Sequence, residues 1–295
     1  MTIIQLEYLV AVANNGSFSL AADQCFVTQP SLSVQIRNLE EELGAVLLDR
    51  TKKPVVPTEI GRLVIENAQK ALKSFHYVRE GVNEARSEVA GMLRLGMIPT
   101  VAPYMLPRLL PAFSERYPKV ELDVVVRTTP EIVAEIARDA IDAAIVCSGT
   151  TPSNLVEQEL FDDRFLAYVS PLNNLSERSS IRIEDVKPKE LLILSERHCL
   201  RDQVIELCRL KRNHRSPYNV AGDSLETLMH IVDATPTLTI IPEMAARYVD
   251  EKRCDNIKTL AKGATSRKIA IVVRRTYVKK TLIKALGDVA AEVMK

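Results

Sequence analysis

Between Thr58 and Val89 the apolar side chains fall at Val64, Ala68, Ala71, Phe75, Val78, Val82, Ala85 and Val89, at spacings that alternate four and three. That rhythm keeps one face of an α-helix apolar over more than three heptads, and a seam of that length calls for a partner helix. Thr58 and Glu59 open the helix, and the pattern carries it to about Glu88; Gly81 weakens it, while polar residues fill most other positions. The alanines suit close helix approach. The seam therefore predicts a dimer. The alternative is a long helix lying on its own domain.

Residues 3–12 read as an amphipathic helix with Leu6, Leu9, Val10 and Ala13 on one side, broken by Gly16-Ser17. Ser17 can cap a second helix over 18–25, carrying Phe18, Ala21, Ala22 and Cys25. Thr28 is an N-cap candidate for a third. Pro30 stands in its first turn, where a missing N–H costs nothing, and Gly44 ends it. Leu32, Ile36, Leu39 and Leu43 form its apolar stripe, and the opposite side carries Pro30, Ser33, Val34, Arg37 and Asn38. Two short helices joined by a tight turn, the second with small polar groups and one guanidinium outward, are a helix-turn-helix signal. Residues 47–57 follow as a short hairpin whose tip, around Arg50, Lys52 and Lys53, suits backbone phosphates. Charge does not carry this reading. Residues 1–58 hold four basic and six acidic side chains, a net charge of −2. The acidic run Glu40-Glu41-Glu42 is expected at the far end of the third helix, away from phosphate.

From Ala90 the texture changes. Apolar, β-branched runs at 93–97, 120–126, 143–147, 166–170, 191–194, 237–241 and 269–273 alternate with helical patterns over about 102–117, 130–139, 201–211, 224–234, 242–250 and 277–294. That order is α/β, and continuous runs of this kind suit strands covered on both faces. In such sheets ligands sit where strand C-terminal ends meet helix N-termini. Three junctions of that kind lie at Pro99-Thr100-Val101, Thr128-Thr129-Pro130 and Ser195-Glu196-Arg197-His198-Cys199, suggesting a crevice between two subdomains.

With 295 residues, 46% apolar and 5% aromatic, the composition is that of an ordinary globular protein. No uncharged apolar run of membrane-spanning length occurs, and Met1–Glu7 has no signal-peptide character, so a cytoplasmic location and no membrane partner are expected. Of five cysteines, Cys25, Cys147 and Cys254 read as reduced, small buried hydrophobes. Cys199 and Cys208 stand nine residues apart. On one helix that is a rise of roughly 13 Å, whereas disulfide-bonded Cα atoms lie about 4.4–6.8 Å apart. The pair can close only by rebuilding the backbone, which makes it a poor staple and a plausible switch. A metal site on His198, Cys199 and Cys208 fits no common zinc spacing, and no metal or cofactor is expected. His76, His214 and His230 read as surface or core histidines.

Ser17-Phe18-Ser19-Leu20-Ala21-Ala22, Val27-Thr28-Gln29-Pro30-Ser31-Leu32-Ser33, Ile36–Gly44, Leu48-Asp49-Arg50-Thr51 and Thr58-Glu59-Ile60-Gly61 strongly resemble the N-terminal domain of LysR-type transcriptional regulators. The resemblance implies a multidomain fold: a winged helix-turn-helix over 1–58, a linker and dimerisation helix over 59–89, and a periplasmic-binding-protein-like α/β regulatory domain over 90–295. The last would have subdomain I at about 90–162 and 268–295 and subdomain II at about 163–267. It implies that Gln29, Pro30, Ser31, Ser33, Val34, Arg37, Arg50, Lys52 and Lys53 meet a double-stranded DNA operator. Val64, Ala68, Ala71, Phe75, Val78 and Val82 would form the dimer helix. RNA polymerase is an implied partner, and pairs of dimers an implied homotetramer.

Within that family, His198-Cys199-Leu200-Arg201-Asp202-Gln203 with Cys208, Ile98–Tyr104 and Ser224–Leu228 resemble its hydrogen-peroxide-sensing branch. The resemblance makes Cys199 the peroxidatic cysteine and Cys208 the resolving one. It places Thr100, Thr129, His198, Asp202, Gln203 and Arg267 around the peroxide, and implies a cellular disulfide reductant. The thiolate is the nucleophile, and a helix N-terminus, His198, and cations such as Arg201 or Arg267 are the groups expected to favour it. Thr100 and Thr129 would hold the two peroxide oxygens, and Asp202 would orient a water or pass a proton. One departure lies at Ala234-Thr235-Pro236-Thr237, where Pro236 replaces a glycine-containing turn and is expected to stiffen it. The competing readings are a regulator of the same family answering a small anionic metabolite, a thiol peroxidase, and an interaction module that does not bind DNA. Under the leading reading the chain is no enzyme, since peroxide reduction is a stoichiometric sensing step.

Overall fold

The computed structural model describes residues 1–295 apart from 86–87, 212–213, 215–217, 219–223, 262–265, 276 and 278, and apart from some side chains between 73 and 85. The chain forms two units, Met1–Ala85 and Arg86–Lys295.

The first unit begins with α1 (Ile3–Asn15), entered through a Thr2/Gln5 capping box and stopped by Gly16 in the left-handed region, φ 61°. Ser17 caps α2 (Phe18–Gln24) by accepting the Leu20 N–H. The third helix, α3 (Gln29–Leu43), follows Thr28, has Pro30 in its first turn and ends at left-handed Gly44, φ 63°. Leu9, Val12, Ala21, Leu32, Ile36 and Leu39 close the core between them. Leu43, expected in the same stripe, is exposed instead. A two-stranded wing, β1 (Leu48–Asp49) antiparallel to β2 (Val56–Pro57), leads into α4 (Glu59–Ala85). A side chain at Gly61 would run into the Leu47 carbonyl oxygen at 1.9 Å, so only glycine lets α4 start this close to the wing.

The apolar seam of α4 is divided. Ile65 and Ala68 are buried in the core of the first unit, with Val64 and Leu72 half-buried against it, because the opening turns of α4 pack on α1. Farther on Ala71, Phe75 and Val78 are exposed. The side chain of Val82 lies outside the described residues. The seam read from the spacing thus serves its own domain first and becomes available to a partner only beyond that.

In the second unit β3 (Gly91–Met97), β4 (Val120–Val126) and β5 (Ala143–Cys147) lie parallel, linked through α5 (Ala102–Arg116) and α6 (Thr129–Ala137). A long strand, β6 (Leu155–Val169), precedes the short β7 (Ser180–Ile181) and β8 (Leu191–Leu192). Then come α7 (Cys199–Leu207), α8 (Leu225–Ala234), β9 (Leu238–Pro242), α9 (Glu243–Ala246), β10 (Ile257–Leu260), β11 (Ser266–Arg274) and α10 (Lys280–Val293). The strand order is β4-β3-β5-β11-β6-β10-β7, with β9 on β6 and β8 on β9.

The sheet is mixed, not a set of parallel strands buried on both faces: β11 runs antiparallel to both β5 and β6. The first part of β6 pairs with β11, and its last residues pair with β9 and β10, so one strand passes from one half of the sheet into the other. Sequence periodicity finds only the end of β6. Its opening residues carry Glu157, Gln158, Glu159, Asp162, Asp163 and Arg164 and have no apolar run. Likewise α9 is a single turn instead of a helix over 242–250, and α7 starts two residues earlier than its apolar pattern and stops at Leu207.

Candidate functional site

Six chain segments meet at one point: the end of β3, the end of β5, the start of α6, the start of α7, and the paired strands β6 and β11. Cys147, the last residue of β5, is fully buried. Cys199 is the first residue of α7, with His198 as N-cap, and is half-buried. Its Sγ donates to the Cys147 Sγ at 3.2 Å. A helix N-terminus stabilises negative charge and so acts in favour of a thiolate at this position.

Arg267 and Asp163 face each other in the β11/β6 register, and their side chains form a fully buried ion pair at 2.9 Å. Such a pair is tolerated because its remaining polar atoms are satisfied. Arg267 Nη1 donates to Thr100 Oγ1 at 2.9 Å and Nη2 to the Thr100 carbonyl at 3.0 Å, while the second Asp163 oxygen accepts the Met244 N–H at 3.0 Å. Nη1 also lies 3.9 Å from the Cys147 sulfur. The guanidinium is therefore a fixed positive charge between a carboxylate and a thiol pair.

The two thiols titrate as a unit. Donation from the Cys199 S–H, helped by Arg267, pulls Cys147 down to about 7 despite its burial. Cys199, which keeps the shared proton for Cys147, is pushed up, while Arg267 and Thr129 act in the opposite direction. The site thus loses one proton readily and the second with difficulty. Its single negative charge is shared between sulfurs that face Arg267. Burial alone pushes Cys208, the C-cap of α7, up to about 11.

Thr100 and Thr129 are both buried. The Thr100 hydroxyl accepts from Arg267, which leaves its own proton to donate. The Thr129 hydroxyl, in the first turn of α6, has no hydrogen bond of ordinary geometry among the described residues, yet lies near enough to Cys199 to favour its thiolate. Gln203 offers its amide oxygen to Cys147 at 3.9 Å. His198 is buried at the helix start, and Asp202 is exposed one turn along. Arg201 is committed elsewhere. Its guanidinium donates to the Leu194 and His214 carbonyls at 3.0 and 2.8 Å, tying α7 to the segments before and after it. At the turn after α8, Thr235 Oγ1 meets Thr237 Oγ1 at 2.8 Å and the Ile231 carbonyl at 2.7 Å.

On the first unit Gln29, Pro30, Ser31, Val34 and Arg37 are exposed along one side of α3, with Ser33 half-buried beside them; Lys52 and Lys53 are exposed on the wing. Arg50 is held by Glu40 at 2.7 Å and lies 5.0 Å above the Phe18 ring. Glu40 does more than open an acidic run. It accepts the Leu47 and Leu48 N–H groups at 2.8 and 3.2 Å as well as Arg50, and so struts the wing against α3.

Sequence reading missed Cys147 and Asp163. Cys147 was legible only in part: it stands at a strand end, as Thr100 does, but the element that follows it is β6 and not a helix. Cys254, expected to be buried, is exposed, and Cys25 is only half-buried.

Residues 3–62 match the bacterial regulatory helix-turn-helix protein, lysR family, and residues 86–295 match the LysR substrate binding domain. The chain belongs to the LysR family of bacterial regulators. It is 34% identical over 276 residues to the hydrogen peroxide-inducible genes activator of Dickeya chrysanthemi, covering 93% of this chain and 90% of the relative. It is 33% identical over the same length to OxyR, the DNA-binding transcriptional dual regulator of Escherichia coli K12, again covering 93% and 90%. Among solved structures it resembles a full-length OxyR variant from Pseudomonas aeruginosa, with 29% identity, TM-score 0.76 and 99% and 98% of the two chains covered. An H2O2-bound cysteine mutant of Corynebacterium glutamicum OxyR matches with 26% identity, TM-score 0.68 and 99% and 92% covered. No helix among the described residues is long and apolar enough to cross a membrane.

Proposed function

We propose that this LysR-family protein is a peroxide-responsive, DNA-binding transcription regulator. The observation that carries the reading is a thiol at a helix N-terminus, hydrogen-bonded to a second thiol and set beside a buried arginine. The Cys199 thiolate attacks one peroxide oxygen, the O–O bond breaks, and hydroxide leaves and is protonated, with Cys199 becoming a sulfenic acid. Arg267 stabilises the thiolate. The spare proton of Thr100 and the unengaged hydroxyl of Thr129 suit the two peroxide oxygens. His198 and Gln203 line the pocket, with Asp202 at its edge supplying an ordered water or a proton. Cys208 then condenses with the sulfenic acid, and closing that bond rebuilds α7.

The residues along α3 and the wing meet double-stranded DNA: Gln29, Pro30, Ser31, Ser33, Val34 and Arg37 at base edges and phosphates, Arg50, Lys52 and Lys53 on the backbone. The exposed part of α4, with Ala71, Phe75 and Val78, pairs with a second copy, and Val82 continues the same seam. Residues 59–89 serve as linker, and 90–295 as the redox-sensing domain in two subdomains. Dimers pair into a homotetramer, RNA polymerase is the downstream partner, and a cellular reductant resets the disulfide in the cytoplasm.

Peptide mapping after stoichiometric peroxide tests the chemistry, with gel shifts of reduced and oxidised protein at fixed salt as the DNA readout. Oxidation confined to Cys199 and its partner, together with a changed shift, is expected. A reduced Cys199 beside an oxidised Cys25 or Cys254 would overturn the reading.

A further inference from the structure

The buried thiol at the end of β5 forms no bond in the scheme above, yet it is the sulfur in direct contact with Cys199. Cys208 lies at the other end of α7, roughly 13 Å of helix away at 1.5 Å per residue. Cys147 lies 3.2 Å from the Cys199 sulfur, with Arg267 3.9 Å on its other side. Cys199 is half-buried and Cys147 fully buried, so peroxide arriving from solvent meets Cys199 first and the product forms against Cys147.

We propose that Cys147 is a second resolving cysteine, which condenses with the Cys199 sulfenic acid to form a local disulfide while α7 stays folded. This rests on the peroxide reading of Cys199. The Cys147 thiolate attacks the Cys199 sulfur, the S–S bond forms, the S–O bond breaks, and hydroxide leaves and is protonated to water. With the first step, two thiols and one hydrogen peroxide give one disulfide and two waters. Arg267, 3.9 Å from the Cys147 sulfur, favours the attacking thiolate. The attacked sulfur need not move far, whereas Cys208 must wait for α7 to unwind and is itself held protonated by burial. Resolution by Cys147 and resolution by Cys208 therefore compete for one sulfenic acid. Only the second dismantles α7. The local bond would join the end of β5 to the start of α7 and hold the site closed.

The test treats the full chain with one equivalent of hydrogen peroxide and maps its disulfides, with a sulfenic-acid trap such as dimedone present. The wild type, Cys208→Ser, and Cys147→Ser/Cys208→Ser are compared. Expected are a peptide linking residues 147 and 199 in Cys208→Ser, with little trapped sulfenic acid, and full trapping at Cys199 in the double variant. Hydrogen exchange across 199–207 should stay slow in oxidised Cys208→Ser. Full trapping at Cys199 in Cys208→Ser, with Cys147 still free, overturns the role of Cys147 and leaves the peroxide reading standing. A reduced Cys199 in all three proteins overturns both. The wild type at limiting peroxide gives the same answer without a substitution: a 147–199 link is expected early, and its absence at every time point counts against the proposal.

Discussion

Cys199 and Cys208 occupy the two ends of one helix, the first residue of α7 and the residue capping its last turn. A bond between them cannot form while Leu200, Val204 and Ile205 keep α7 seated in the core. Unseating them exposes three apolar side chains at about 1.5–3 kcal/mol each, so the 199–208 disulfide should be strained and readily reduced. Amides of residues 200–207 are expected to lose exchange protection in protein carrying that bond. Unchanged protection would show that the pair closes by another route.

Arg267 is held by Asp163 and Thr100 and in turn favours the thiolate. Arg267→Met should slow alkylation of the thiol pair at neutral pH and destabilise the fold by about 3–5 kcal/mol, because Asp163 is left buried and alone. Asp163→Asn added to Arg267→Met should restore much of the stability, since the orphaned charge is gone, but not the reactivity. Denaturant unfolding and iodoacetamide rates separate the two. Recovery of both would count against an electrostatic role for Arg267.

The thiols give opposite pH signatures. An unperturbed cysteine titrates at about 8.5. The ionisation drawn down to about 7 adds stability that is complete above that unfolded value and is lost as pH falls through 7. Cys208, raised to about 11, and Cys199, also raised, contribute stability present below the unfolded value and lost as pH climbs towards their folded values. Alkylation of the Cys147/Cys199 pair should therefore rise through pH 7 while Cys208 stays silent. Cys208→Ala should flatten the alkaline loss of stability; an unchanged alkaline limb would refute the assignment.

Glu40 braces the wing. Glu40→Ala leaves the Leu47 and Leu48 N–H groups and Arg50 without their acceptor, at a cost of about 1–3 kcal/mol, and should weaken operator binding. Glu41→Ala, at an exposed neighbour, should do neither. Arg37→Ala should cost about 1–3 kcal/mol in specific binding with little effect on nonspecific binding. Equal losses on both DNAs would place Arg37 on phosphate. Titrations at matched salt decide.

Phe75 and Val78 are large apolar groups left uncovered on α4. Phe75→Glu with Val78→Glu should convert dimer to monomer in sedimentation velocity while the thermal stability of the first unit stays near wild type. An unchanged sedimentation coefficient would move the dimer contact elsewhere. Ala68→Glu should instead unfold that unit, since Ala68 is buried within it.

The first unit was legible nearly to the residue because its determinants are local. Ser17 caps, Gly16 and Gly44 stop, and the Leu32/Ile36/Leu39 stripe faces inward within one short stretch. The heptad seam was legible as a seam but not as divided, because spacing does not say what lies opposite Ala68. In the second unit Thr100, Thr129 and Cys199 lie at junctions of strand end and helix start, and the family resemblance gave them their roles; Cys147 escapes that pattern because β6, not a helix, follows β5. Asp163 was not legible. It belongs to the polar opening of β6, and only the pairing of β6 with β11 brings it to Arg267.

That pairing has a consequence for genetics. Arg267 and Asp163 sit opposite one another on two neighbouring strands, one of which runs between the two halves of the sheet, so under the proposed function the same two side chains would serve both the chemistry and the joinery. A screen for cells blind to oxidant should return substitutions at 163 and 267 chiefly as low-abundance, protease-sensitive proteins. Substitutions at Thr129, whose hydroxyl has no hydrogen-bond partner of ordinary geometry among the described residues, should come back as abundant, DNA-competent proteins that no longer answer.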